Sequence, residues 1–481
     1  MGIGVSDWRL ARSVSLRGQM GVVSGTVLDS LLVRRLQDGD VDGHLRRAME
    51  RFPIPEVSAE VLKKYFRPEG RGEGESYALL SMYRQAVDKL RDQITVLANF
   101  VEVHLAKEGH DGLVGINLLT KVEMPNLASL YGAMLAGVDY VLMGAGIPRE
   151  IPGALDAFAE GDPASMRLHV QGLERGRSEK LTFDPREHWE GEPPELERPK
   201  FLPIISSDAL ARMMIRKANG RVDGFVVERP VAGGHNAPPR GDLVENDRGE
   251  PIYGERDEAD LEVMRGLGLP FWVAGGVGSP EHLQEVREQG AAGIQVGTLF
   301  AYTDESGIDR GYKDRVIGQV LDGEIDVVTD GRASPTGFPF KVVQLEGTNS
   351  EQQEYEKRER VCDLGYLREP YQDEGGHIRY RCASEPVDTY VKKGGRREDT
   401  VGRKCLCNAL MADIGHAQVR GEGIAERPIL TSGDDLKDIG RFLDGRTRYT
   451  ADDVLDYLLS SVDAEVPFSE DHLPKLEPSA R

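Results

Sequence analysis

Phe271-Trp-Val-Ala-Gly-Gly-Val-Gly-Ser-Pro280, followed at Gly293-Ile-Gln-Val-Gly-Thr298, decides the fold class. A short apolar run ends in glycines, a polar amphipathic stretch follows, and a second apolar run ends in another glycine. Ser279 is placed to cap a helix over Pro280–Gln289, Pro280 suits its first turn, and Gly290 stops it. Strand, helix and parallel strand in about 28 residues make a βαβ unit.

Working outward, the same alternation recurs. The pattern predicts strands at Gly21–Gly25, Leu113–Leu118, Asp139–Met143, Phe201–Ser206 and Gly224–Glu228 before the two already read. Helices are predicted over Asp7–Arg17 with Ser6 as cap, over Leu127–Ala136 and over Asp208–Asn219. Short apolar strands alternating with amphipathic helices are the mark of a parallel α/β protein, and their number points to a TIM (β/α)₈ barrel. Such a barrel needs eight strands to close, and seven are legible. The chain opens on a Gly-rich turn and a helix where a first strand should already have passed. The expectation is that this strand lies upstream of Met1, Met1 being internal or a misassigned start; a sheet closed differently, or open, is the alternative.

Two polar insertions interrupt the rhythm, a helical one at about 33–96 and one at 167–199 with two strand-like pieces (Arg167–Gly172 and Lys180–Phe183). The β/α alternation stops near Gln344. The chain therefore divides into a barrel domain over 1–345 and a mixed C-terminal appendage over 346–481, with a loose tail from about Asp463.

Composition sets limits on partners. The 481 residues are 39% hydrophobic, with 56 Gly and 26 Pro, ordinary for a globular protein. Sixty Lys and Arg face 81 Asp and Glu, a net charge of −21, which argues against nucleic acid and anionic membrane as general partners. The one membrane-length stretch, Leu127–Ile147, holds Asp139 and reads as a helix followed by a buried strand. The start lacks a signal-peptide core. A soluble cytoplasmic protein is expected, with a homodimer left open.

In a parallel barrel the chemistry lies in the loops after the strand ends. Gly275, Gly276 and Gly278, with Gly297 and Thr298, put side-chain-free loops after two consecutive late strands. Their backbone N–H groups, the Thr298 hydroxyl and a helix N-terminus suit a phosphate, although glycines also serve plain tight turns. After strand Gly224–Glu228, His235 follows the Gly233-Gly234 pair on a loop at the same face. Glycines allow close approach of a flat ligand and an imidazole can take a proton near neutrality, so His235 is the acid/base candidate. Asn117, at another strand end, offers a donor and an acceptor to a flavin or nucleobase edge, or caps a loop.

Gly21-Val-Val-Ser-Gly25, Gly115-Ile-Asn117, Ala232-Gly-Gly-His235, Ala274-Gly-Gly276 and Gly290-Ala-Ala-Gly-Ile-Gln-Val-Gly-Thr298 together resemble, in order and spacing, the nitronate monooxygenase (2-nitropropane dioxygenase-like) flavoproteins. The superfamily includes FMN-dependent enoyl-acyl-carrier-protein reductases. The resemblance covers roughly residues 1–300 and implies non-covalent FMN. It implies that Gly275, Gly276, Gly297 and Thr298 hold the phosphate, that Asn117, Gly233, Gly234 and Gln295 lie along the ribityl chain or ring, and that His235 is the active-site base. The implied reaction is oxidative denitrification of nitroalkanes or nitronates with O2. The same pocket serves NAD(P)H-dependent reduction of an enoyl thioester, and a non-catalytic FMN-binding accessory module of a lipid or polyketide synthase is a third reading. A non-flavin barrel enzyme acting on a sugar phosphate is a fourth. The insertions and the stretch after Asp330 depart from compact family members. Ser334–Lys341 is placed to fold over the flavin mouth as a lid, with Arg332 and Lys341 toward an anionic substrate.

Cys362, Cys382, Cys405 and Cys407 crowd into the appendage with none before them. Four thiolates can bind Zn²⁺ tetrahedrally, but the spacing matches no standard finger, and buried inert thiols are the alternative.

Overall fold

The computed structural model describes residues 2–189, 191–421 and 423–460. The tail expected to be loose from about Asp463 lies outside these residues. All seven sequence-read strands form: β1 (Gly21–Ser24), β2 (Val114–Leu119), β3 (Tyr140–Gly144), β4 (Lys200–Ile205), β5 (Phe225–Glu228), β6 (Phe271–Ala274) and β7 (Gly293–Gln295). They make one sheet in the spatial order β1 to β7, every neighbouring pair parallel. Registers such as Val22↔Gly115 and Asn117↔Leu142 carry the strand ends, and the loops after them, to one face.

The sheet is curled, and its two faces have separate cores. Tyr140, Leu142, Leu202, Val226 and Trp272, alternating along their strands, pack with one another on the inner face. Val23, Ile116, Val141, Phe201, Phe225 and Phe271 point outward into a larger cluster under the helices. Inner-face side chains that fill their own layer are what a barrel-like sheet requires. Closure is not reached among the described residues: seven strands pair in sequence and β1 and β7 are the two edges.

The first helix spans Trp8–Leu16, one residue shorter than read at each end, and its cap differs. Asp7, not Ser6, accepts the N–H groups of Arg9 and Leu10, while the Ser6 hydroxyl donates to the Val22 carbonyl. A carboxylate at the helix start is favoured by the dipole, which leaves Ser6 free to tie the turn to β1.

The first insertion is helical, with helices Leu28–Gln37, His44–Met49, Pro55–Tyr65 and Lys89–Lys107. The last packs on helix Asn126–Leu135 so closely that a Cβ at Gly132 would stand 2.2 Å from the Val96 carbonyl oxygen. The second insertion carries a hairpin of Ala164–Leu168 with Glu179–Phe183.

Beyond the sheet, Val327–Asp330 and Phe340–Val343 form an antiparallel pair. The C-terminal stretch then returns to the strand-end face. Leu406, Cys407 and Leu410 belong to the same core as β1 and β2, and Tyr366 reaches Asp29 and Ser30 on the helix after β1. No helix among the described residues is long and apolar enough to cross a membrane.

Candidate functional site

A cleft opens at the strand-end face. Asn117 from β2, Gly144 at the end of β3 and Ala145 after it, Ile204 from β4, Glu228 from β5 and Gln295 from β7 line its floor. Gly233, Gly234 and His235 line one side, and Phe340, Tyr366, Leu406, Cys407, Leu410 and Thr431 arrive from the C-terminal stretch. Of the sequence-read candidates, Asn117, Gly233, Gly234, His235 and Gln295 therefore meet in one cavity.

The backbone around the cleft is strained where the chain turns off its strands. Val27 after β1 has φ +66° and Ala145 after β3 has φ +53°. A β-branched residue in the left-handed region is an outlier costing on the order of 1–3 kcal/mol, and such strain gathers at binding sites. Gly234, at φ +84°, needs its missing Cβ for the turn, and the space a Cβ would take is open.

His235 is half-buried. Its Nε2 lies 2.7 Å from the Ser334 hydroxyl and its ring meets Phe340 edge-on at 4.8 Å. Of the stretch Ser334–Lys341, Ser334 and Phe340 thus meet His235, and Phe340 lines the cleft. Burial, and then the charge of Lys121, hold the imidazole down at about 3, so His235 is neutral throughout the physiological range. Lys121 sits over the Phe338 ring, 2.8 Å from its centroid, and burial lowers its ammonium to about 7. Burial raises the Glu228 carboxyl to about 7. Lys121 and Glu228 escaped the sequence reading. The position of Glu228 at the end of β5 was a usable signal, whereas that of Lys121 was not.

Lys341 does not face the cleft. It is 3% exposed and donates to Asp434 at 2.6 Å and to Thr329 at 2.7 Å. Arg332 is exposed, beside Gly402. Neither is arranged to meet a substrate anion.

Whether a flavin suits the cleft can be tested on its polar groups. Asn117 is 4% exposed, and it lines the cleft together with Gln295. Two side-chain amides, open glycine backbone and apolar walls suit a flat heteroaromatic ring with polar edges. The amide N–H groups of residues 275–279 have no backbone acceptor among the described residues, which suits an anion at the far end. Thr298 stands apart from the cleft lining: its hydroxyl donates to Asp435 at 2.7 Å and accepts the Gly433 N–H at 3.1 Å. Gly275, Gly276 and Gly297 likewise lie outside the lining, beyond the Val231–Gly233 turn.

The cysteines require a correction. Two of the thiols are held by polar neighbours: Cys382 Sγ contacts the Ser384 hydroxyl at 3.1 Å and Cys405 Sγ accepts from Asn408 at 3.4 Å. Cys407 faces the amides of Tyr366 and Leu367, and Cys362 lies against Cys382. Among the described residues no group of three or more His, Cys, Asp or Glu side chains is placed to hold a metal ion. The expected Zn²⁺ site is not supported. Burial pushes the Cys407 thiol up, as for an inert core cysteine.

Residues 198–334 match the family model described as nitronate monooxygenase, over the stretch that contains Gly233, His235, Gly276 and Thr298. The (3aS,4S,5R,7aS)-5-hydroxy-7a-methyl-1-oxo-octahydro-1H-indene-4-carboxyl-CoA dehydrogenase of Mycobacterium tuberculosis (strain ATCC 25618 / H37Rv) is 28% identical over 143 residues, 30% of this chain. The match spans 36% of that relative's length. Among solved structures, nitroalkane oxidase from Streptomyces ansochromogenes is similar at 14% identity and a TM-score of 0.46, over 96% of this chain and 93% of that one. FabK from Thermotoga maritima gives 15% and 0.44, over 95% and 89%. The enoyl reductase domain of MlnA from Bacillus amyloliquefaciens gives 12% and 0.44, over 96% and 92%.

Proposed function

We propose, from the nitronate monooxygenase match over residues 198–334 and the cleft it borders, that the chain is a flavin-dependent oxidoreductase. Its primary reading is oxidation of nitronates with O2. The observation that carries it is the meeting of Asn117, Gly233, Gly234, His235 and Gln295 in one apolar-walled cavity. The flavin would lie along these residues. When bound it supplies the electron transfer, which no side chain here can perform.

The residues do the rest. A neutral His235 is a weak base, ill-suited to stripping a proton from a neutral nitroalkane. Its Nε2 is engaged by Ser334, and an imidazole held in one orientation offers a hydrogen bond to an anion that arrives already deprotonated. Lys121, poised near 7, adds positive charge on that side. Leu119, Val122, Leu406 and Leu410 line the cavity and exclude water from an apolar substrate tail, strengthening both polar contacts.

A second reading, NAD(P)H-dependent reduction of an enoyl thioester, is favoured by the relative whose name specifies a carboxyl-CoA substrate. Anaerobic stopped-flow absorbance decides between them. Flavin bleaching by a nitronate alone supports the first, and bleaching by NADPH or NADH alone supports the second. A protein that carries flavin and is reduced by neither fits an accessory module. A preparation that holds no flavin would overturn the oxidoreductase reading.

A further inference from the structure

The late-strand glycine loops, where an anion would be held, are crossed by a turn of the chain itself. Residues Thr431–Asp435 run over Gly233 so closely that a Cβ there would stand 2.7 Å from the Ser432 carbonyl carbon and 2.8 Å from the Gly433 nitrogen. The turn is tied down at nearly every residue. Thr431 accepts the Gly234 N–H at 2.9 Å, the Ser432 hydroxyl pairs with the buried Tyr302 hydroxyl at 2.7 Å, and the Asp434 N–H donates to the Val231 carbonyl at 3.0 Å. Lys341 holds the Asp434 carboxylate at 2.6 Å.

Gly433 is required by this seating, since a Cβ would meet Asp435 Oδ1 at 2.5 Å, Val231 O at 2.9 Å and Thr298 Oγ1 at 3.0 Å. The turn delivers one carboxylate to the cradle. Asp435 Oδ1 accepts the Thr298 hydroxyl, and its Oδ2 lies 3.5 Å from where a Gly278 Cβ would be. Thr298 has therefore given its hydroxyl proton to a group of the protein. Lys341, which pairs with the neighbouring Asp434, is committed to Asp434 and Thr329.

We propose that Asp435 is a ligand-selecting residue, an internal anion on Thr298 that makes the cleft prefer a flavin whose ribityl tail ends in a hydroxyl over one that ends in a phosphate. The proposal rests on the flavin reading of the cleft. A dianionic tail reaching this end would meet a like charge and a hydroxyl already donated, two losses that a terminal hydroxyl does not suffer.

The test is fluorescence titration of riboflavin and of FMN into the full-length chain freed of bound flavin, for the wild type and for Asp435→Asn. Asparagine keeps the shape and an acceptor for Thr298 while removing the charge, and Asp435→Ser serves as a second uncharged variant. Riboflavin is expected to bind the wild type at least as tightly as FMN, and both variants to shift the ratio of dissociation constants at least tenfold toward FMN. Tighter binding of FMN than of riboflavin by the wild type, or a ratio that moves less than tenfold in both variants, overturns the proposal and leaves the flavin reading standing. Binding of neither flavin by any of the three proteins overturns both.

Discussion

Asp29→Ala tests how the C-terminal stretch is fastened to the cleft. Asp29 is 2% exposed and its carboxylate gathers the Arg91 guanidinium at 2.7 Å, the Tyr366 hydroxyl at 2.5 Å, the Thr95 hydroxyl at 3.2 Å and the Ser30 N–H at 2.8 Å. Arg91 is itself 3% exposed. Removing one partner of a buried ion pair strands the other charge and costs about 3–5 kcal/mol. With a urea m-value of about 3–4 kcal/mol/M for a chain larger than the usual small domains, the unfolding midpoint should fall by roughly 1 M. Asp29→Asn keeps most acceptors without the charge, and its loss should be smaller by about 1–2 kcal/mol. Arg91→Met added to Asp29→Ala removes the stranded charge, so the double variant should recover at least about 2 kcal/mol relative to additivity. Because Tyr366 lines the cleft, flavin affinity should weaken along the same series. A single Asp29→Ala variant within about 0.5 kcal/mol of wild type, the range of an ordinary surface change, would refute the reasoning.

His235→Ala should retain bound flavin by absorbance yet lower kcat/KM for a nitronate about 10- to 100-fold, the worth of one hydrogen bond to a charged group; an unchanged value removes His235 from the mechanism. Gly276, at φ +68° with Val231 Cγ2 3.1 Å from a Cβ position, should lose flavin when replaced by Val, and full occupancy after ultrafiltration would count against its placement. The Glu228 carboxyl, ordinarily near 4.5, is raised by burial to about 7, so the native state binds the extra proton. Its contribution is fully present below the unfolded value and is lost as pH rises through 7, by at most about 3 kcal/mol. Urea midpoints measured from pH 5 to 8 should flatten in Glu228→Gln; equal slopes in the two proteins would sink this assignment.

Where the chain is a β/α alternation, it could be read directly, because the signals are local. The strand over Phe271–Ala274 is recovered to the residue, and the bounds of the other six shift by at most one position, since a parallel strand is apolar throughout and its ends are set by the loop glycines. The Asp7 cap was hidden because Ser6 and Asp7 are both good caps, and only the bond from Ser6 to Val22, 16 residues away, decides between them. Part of the cavity was likewise legible: Asn117 lies toward the end of β2 and His235 in the loop after β5, where the parallel architecture puts function, while Gln295 came only with the family resemblance. The roof was not. Tyr366, Leu406, Leu410 and Thr431 come from well beyond the last strand of the sheet, in a stretch without periodicity, and long-range packing of this kind leaves no local pattern to find. The same holds for Asp435. In the sequence Gly297-Thr298 reads as a phosphate cradle because glycine, hydroxyl and helix start are all local features. What meets the Thr298 hydroxyl is a carboxylate 137 residues downstream, so the local motif does not by itself say what the loop holds, and the distant turn has to be read with it.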